Sequence, residues 1–186
     1  MTTPLIIAAI AVVTFWFIIT YNKFIAKSNL VKQTESSICV MLKQRNDMIP
    51  NLVAAVQQYA GHENATLVKI AELRSRMQQS NNEQEQIQLG AALSKALADI
   101  KIAVENYPEL KADKQFLRLA ESIEEMEYQL QAARRTFNAA AVDFNNYVQM
   151  FPSNIVASIK KYQIKDLITI PESEKDTVDV KALFKS

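Results

Sequence analysis

Glycine is nearly missing from this chain, with only Gly61 and Gly90 among 186 residues. A β-rich domain of this size needs more glycine-bearing turns, so strands are excluded as the main architecture. Two glycines that far apart also build no Walker A loop, no G-x-G-x-x-G fingerprint and no G-x-S-x-G elbow. Cysteine is reduced to Cys39, which rules out an internal disulfide and suits a reducing compartment without requiring one. Histidine is reduced to His62, followed by Glu63. The H-E-x-x-H pattern fails because position 66 is Thr, and the Glu-x-x-His of di-iron bundles is absent, so the sequence offers no metal site. A nucleophilic thiol at Cys39 would need His62 as its base, and Cys39 is read instead as an inert packed thiol. An excess of one charge is missing too. Lys and Arg total 21 against 20 for Asp and Glu, a net charge of +1, which gives no support for capture of nucleic acid.

What is abundant is Ala, Gln, Glu, Lys and Leu, the composition of helices. The longest apolar run is Leu5 to Ile19, interrupted only by Thr14. With Pro4, Thr20 and Tyr21 it reaches a helical length of about 27 Å, near the roughly 30 Å of a bilayer core. Residues 1–21 are read as an outward N-terminus and a transmembrane anchor. A cleaved signal peptide is the competing reading, but no Lys or Arg precedes Lys23 and Ala9-Ile10-Ala11 lies inside the apolar run. A buried core helix is the third. Lys23, Lys27 and Lys32 follow the span, so the positive-inside rule places the N-terminus outside and the bulk of the chain in the cytoplasm.

Past the anchor, apolar residues recur at three- and four-residue steps, and residues 22–164 read as a helical bundle. Helices are expected at about 22–46, 48–79, 83–107 and 113–151, with a short one at 154–162 and an extended tail over 165–186. Asp47 as a cap and Pro50 in the first turn predict a tight reversal between the first two; the alternative is one long helix kinked at Pro50. Asp113 is placed to cap the fourth helix. The seam of that helix, Phe116, Ala120, Ile123, Leu130, Phe137, Ala141, Phe144, Val148 and Phe151, keeps a coiled-coil heptad. The expected fold class is all-α, an N-terminal transmembrane helix continuing into an up-down-up-down four-helix bundle with long helices.

Four charges interrupt the seams: Glu63 and Arg74 in the second helix, Glu127 and Arg134 in the fourth. They are read as structural polar positions that fix register and partner, with a buried polar site as the alternative. Glu127 and Arg134 are about 10 Å apart along the helix, so each is expected to have a cross-helix partner. Lys160-Lys161 beside Ile155, Val156 and Ile159 forms a short basic amphipathic stretch, suited either to lipid headgroups or to a solvated bundle edge. No catalytic residue and no cofactor site is indicated.

The stretch Leu42-Lys43-Gln44-Arg45-Asn46-Asp47-Met48-Ile49-Pro50-Asn51-Leu52-Val53 resembles the signature of the LemA family of bacterial membrane proteins. Further blocks follow in the family's order: Tyr59-Ala60 with His62-Glu63, Glu105 to Ala112, Phe116 with Leu119, Glu127 before Ala133-Arg134, Phe137-Asn138, Tyr147, and Phe151-Pro152. The resemblance implies a short outward N-terminus, one membrane helix and a cytoplasmic helical bundle, with no established enzymatic activity. One branch, the MamQ-like proteins, is tied to building magnetosome membranes. Thr34-Glu35-Ser36, where the family usually has a tryptophan, and Lys160-Lys161 depart from the pattern. The function expected from anchor and seams together is a non-enzymatic, membrane-tethered scaffold that self-associates as a homo-oligomer. The alternative is an adaptor that presents partners to a membrane enzyme such as a protease. The expected partners are the lipid bilayer, further copies of the chain and other membrane proteins, and no nucleic acid.

Overall fold

The computed structural model describes residues 2–60, 65–103 and 107–168, and every element in them is helical. The first helix, α1 (Thr2–Ala60), has 59 residues and is about 88 Å long at 1.5 Å per residue. Its first part has the length and apolar composition to cross a membrane, and none of the other described residues buries that window. From Thr20 onwards the helix becomes a core element, with Phe24, Val31, Ile38 and Leu42 buried.

The tight reversal expected at Asn46–Pro50 does not occur, and with it the boundaries 22–46 and 48–79 fall. The helix runs on through Pro50 to Ala60. A proline inside a helix costs about 3 kcal/mol, because it has no N–H to offer the carbonyl four residues back and its ring crowds that carbonyl. Here the cost is outweighed. Ile49, Leu52 and Val56 continue the buried stripe of Ile38 and Leu42, and the proline ring sits on the exposed side. Asp47 is therefore an exposed mid-helix residue and caps nothing.

The remaining helices are α2 (Ala65–Gln79), α3 (Glu83–Ala103), α4 (Pro108–Ala112), α5 (Lys114–Gln149) and α6 (Ser153–Lys160). Asp113 begins α5 as its sequence position suggests: Oδ1 accepts from the N–H groups of Gln115 and Phe116, both at 2.8 Å. These bonds, the one from Phe116 first, hold the Asp113 carboxyl below the usual carboxylate range. Tyr59 Oη donates to Asp113 Oδ2 at 3.2 Å, which ties the top of α1 to the start of α5.

From there α5 runs antiparallel to α1. Arg45 meets Glu127, Lys27 pairs with Asp143, and the Phe24 ring meets Phe144 edge-on at 6.3 Å. On the other flank α3 runs parallel to α1, and α2 packs on α3. Gly90 permits the approach of α3, since a Cβ there would stand 2.5 Å from Leu42 Cδ2. Helix directions thus alternate, but the packing is more open than the expected four-helix bundle. Among the described residues α1 is a spine, and α3 and α5 flank it without packing closely on each other.

Phe151, expected at the end of the α5 seam, is 80% exposed because α5 stops at Gln149 and the chain turns into α6. Residues 162–168 then run extended back along α5. Two side-chain amides hold their main chain. Asn145 accepts from Lys165 N at 2.7 Å and donates to Lys165 O at 2.8 Å, and Asn138 does both for Ile168 at 2.9 Å. The rest of the expected tail, residues 169–186, lies outside the described residues.

Pro50→Ala is expected to restore a helical N–H without disturbing a buried side chain. Urea unfolding of the full chain in detergent micelles should show a gain of about 1–3 kcal/mol. A loss of stability would mean that the packing depends on the proline.

Candidate functional site

Once α1 is continuous, its buried stripe reads Ile38, Leu42, Arg45, Ile49, Leu52, Val56, alternating steps of four and three residues. Arg45 therefore occupies a core position on the spine, at 0% exposure. Its Nη1 donates to Ser94 Oγ of α3 at 2.7 Å and to Glu127 Oε2 of α5, and its Nη2 donates to the Gly90 carbonyl at 2.8 Å. Ser94 Oγ in turn lies 3.0 Å from each Glu127 oxygen and 3.1 Å from the Gly90 carbonyl. One guanidinium thus joins α1, α3 and α5. Burial pulls the Arg45 pKa below its ordinary value and Glu127 opposes that, so the carboxylate is what keeps the charge tolerable inside the protein.

Arg134 is the second buried cation, at 2% exposure on α5. Glu127 Oε1 stands 3.8 Å from its Nη1, so the two residues expected to pair across helices also reach each other. Among the described residues only Glu127 has cross-helix partners, Arg45 and Ser94. None of the three Arg134 guanidinium nitrogens has a hydrogen-bond partner among the described residues. Among the described residues the cluster therefore sets two cations against one half-buried anion.

Arg74 lies on α2, and its buried Nε has no hydrogen-bond partner among the described residues. Glu63 and His62 lie outside the described residues. Sequence reasoning missed Arg45, Ser94 and Gly90. Arg45 falls in the apolar repeat only when the helix is carried through Pro50, and ending that helix near Asn46 hid it. Ser94 and Gly90 carry no signal of their own.

Beside the cluster, α3 and α5 leave an apolar groove of about 540 Å³ that reaches down to Leu52 of α1. Leu97 and Ile100 line it from α3, and Phe116, Ala120 and Ile123 from α5. Ser94 and Glu127 close one end. Cys39 lies apart from all of this; burial first, then Glu83 and Glu35, push its thiol up to about 11, so it stays protonated and unreactive near neutral pH. No cluster of His, Cys, Asp and Glu suited to a metal ion occurs among the described residues.

The two arginines are expected to respond in opposite ways. Glu127→Ala strands Arg45 in the core and should cost about 3–5 kcal/mol in urea unfolding. Arg134→Met removes a cation that makes no hydrogen bond among the described residues and only a 3.8 Å ion pair with Glu127, and should be neutral or stabilising by about 1–4 kcal/mol. Equal losses in both variants would show that Arg134 is as firmly paired as Arg45.

The sequence has relatives among known proteins. The family model described as the LemA family matches residues 34–182. Protein LemA of Metamycoplasma hominis is 26% identical over 94% of this chain and 79% of its own length. Magnetosome proteins MamQ 1 and MamQ 2 of Paramagnetospirillum magneticum are each 22% identical over 86% of this chain and 69% of theirs. The matched region contains Arg45, Ser94, Glu127 and Arg134, and with more than half of its length covered by the family model, this chain belongs to the LemA family.

Proposed function

We propose that the protein is a non-enzymatic, membrane-tethered scaffold that associates with further copies of itself and organises or shapes the bilayer. The observation that carries this reading is α1. One uninterrupted helix has the length and composition for lipid at one end and is the spine of the folded domain at the other. From Tyr21 to Ala60 it projects about 59 Å, so the domain stands off the membrane as a rod with no linker between anchor and body. The open apolar groove between α3 and α5 supports association, since it is a surface of the kind against which another helix packs. The Arg45–Glu127–Ser94 junction holds that surface in shape, and its charges are engaged in joining helices.

The groove equally favours a second reading, an adaptor that presents a partner helix to a membrane enzyme such as a protease. In either case Lys23, Lys27 and Lys32 after the span support an N-terminus outside and a cytoplasmic domain at a bacterial inner membrane.

Photobleaching of the fluorescently labelled full chain in supported bilayers is expected to give two or more steps per spot. Single steps throughout would overturn self-association, and one dominant foreign partner captured by crosslinking in cells would move the choice to the adaptor. Orientation has its own readout. Protease added to inside-out inner-membrane vesicles should digest the domain, and protection there with digestion in spheroplasts would reverse the proposed sidedness.

A further inference from the structure

The exposed apolar part of α1 is short for a membrane. Leu5 to Phe15 is exposed throughout, whereas Trp16 and Phe17 already pack against the protein core and Thr20 is buried. Even the full run to Ile19 is about 22 Å long, less than the roughly 30 Å of hydrocarbon it would have to cross. The foot of the domain therefore sits at the depth where the lipid still has to be met.

That foot is α6 with the preceding turn. α6 is fixed to α1 at the end of the apolar run. Tyr162 stacks on Phe24 with ring centroids 4.8 Å apart, and Lys160 Nζ lies 5.0 Å from the centre of the Tyr21 ring. Its inner face is ordinary core, with Ser153, Val156 and Ala157 buried. Its outer face is not polar as a solvated edge would be. Phe151, Ile155 and Ile159 recur at four-residue steps and are exposed, Phe151 by 80% and Ile159 by 62%, with Met150 beside them.

Within the stretches of sequence that form this foot, the charge has one sign. No Asp or Glu occurs before Glu35, or between Phe144 and Lys165. The two acids that flank the latter stretch in sequence are Asp143, which is paired with Lys27, and Asp166, which lies on the segment that Asn145 and Asn138 hold along α5. Lys23, Lys160 and Lys161 are exposed, with stems long enough to lie over apolar surface while the ammonium groups reach outward.

We propose that α6 and the Met150–Phe151 turn form an interfacial collar, seated in the headgroup region of an anionic bilayer beside the anchor, with Phe151, Ile155 and Ile159 entering the acyl boundary and the lysines meeting lipid phosphates. The collar rests on the reading of α1 as a membrane span. It gives the protein a second, face-on lipid contact that fixes how deep the domain sits and which side it turns to the membrane.

The test uses the full chain in vesicles of phosphatidylcholine and phosphatidylglycerol that contain brominated lipid. Trp16, the one native tryptophan, reports the span; in a Trp16→Phe background, Ile159→Trp reports the collar and Gln58→Trp reports the distal end. The collar predicts that the tryptophan at position 159 emits further to the blue than that at 58 and loses most of its emission to lipid brominated near the headgroup. It also predicts stronger quenching with phosphatidylglycerol than in phosphatidylcholine alone. Emission at 159 that matches 58 and resists quenching, while Trp16 is quenched, overturns the collar and leaves the tether standing. An unquenched Trp16 removes the tether and the collar with it. Equal quenching in both lipid mixtures overturns the anionic preference. Phe151→Ser with Ile155→Ser changes only exposed positions and should weaken the quenching at 159; unchanged quenching in that variant also counts against the collar.

Discussion

One helix has to satisfy two environments without a break, and the rest of the molecule is arranged around that demand. Below Trp16 the surface of α1 is left bare on all sides, as a bilayer requires. Above Thr20 the same helix needs protein on at least one face, and α5 supplies it over nearly its whole length, with the α2–α3 pair added further along. No backbone hydrogen bond between chain segments is needed to make this assembly, because each helix satisfies its own main chain. Side-chain burial and a few polar ties do the joining. The position of every other helix is therefore set by the stripe on α1, and a slip of α5 along it would separate the Tyr59–Asp113, Arg45–Glu127 and Lys27–Asp143 pairs together.

Arg45 is the place where that stripe departs from simple hydrophobic packing. Apolar side chains of similar size can exchange places when a helix shifts by one turn, so a seam made of them alone specifies register weakly. A guanidinium that must meet a carboxylate on one neighbour and a carbonyl on the other tolerates no such shift. The buried charge is expensive, and Arg134 adds to the expense without hydrogen bonds of its own among the described residues. A protein selected for stability alone would have little use for the second cation.

The sequence revealed the helical architecture, the cap at Asp113, the α5 seam up to Phe144 and the charges at Glu127 and Arg134. It misled where a local signal competed with a distant one. Asp47 and Pro50 have the form of a helix start, and nothing within a few residues argues otherwise. What overrides them is the burial of Ile49, Leu52 and Val56 against helices dozens of residues away. The same mistake concealed Arg45, since a residue one position from a supposed helix end has no reason to be central. Ser94 and Gly90 were invisible for another reason. A serine and a glycine on an Ala-rich helix become part of a site only through the arginine that reaches them, and that contact depends on how closely α3 approaches Leu42. Phe151 kept the heptad phase in sequence, but the helix that would have buried it ends two residues earlier.

The pair of asparagines that hold residues 162–168 has a consequence for how this segment can change. Asn138 and Asn145 are two turns apart on α5, a rise of about 10.5 Å, and Lys165 and Ile168 are spaced by about 10 Å of extended chain. Helix and strand thus come into step there, and the amides grip main-chain atoms that every residue except proline possesses. Between the two grips, Asp166 and Leu167 are exposed, and their side chains are free to drift over evolutionary time at little cost. A single insertion or deletion between the two grips is not, because it would put both out of phase. The segment behaves as a ruler whose graduations are fixed while its lettering is not.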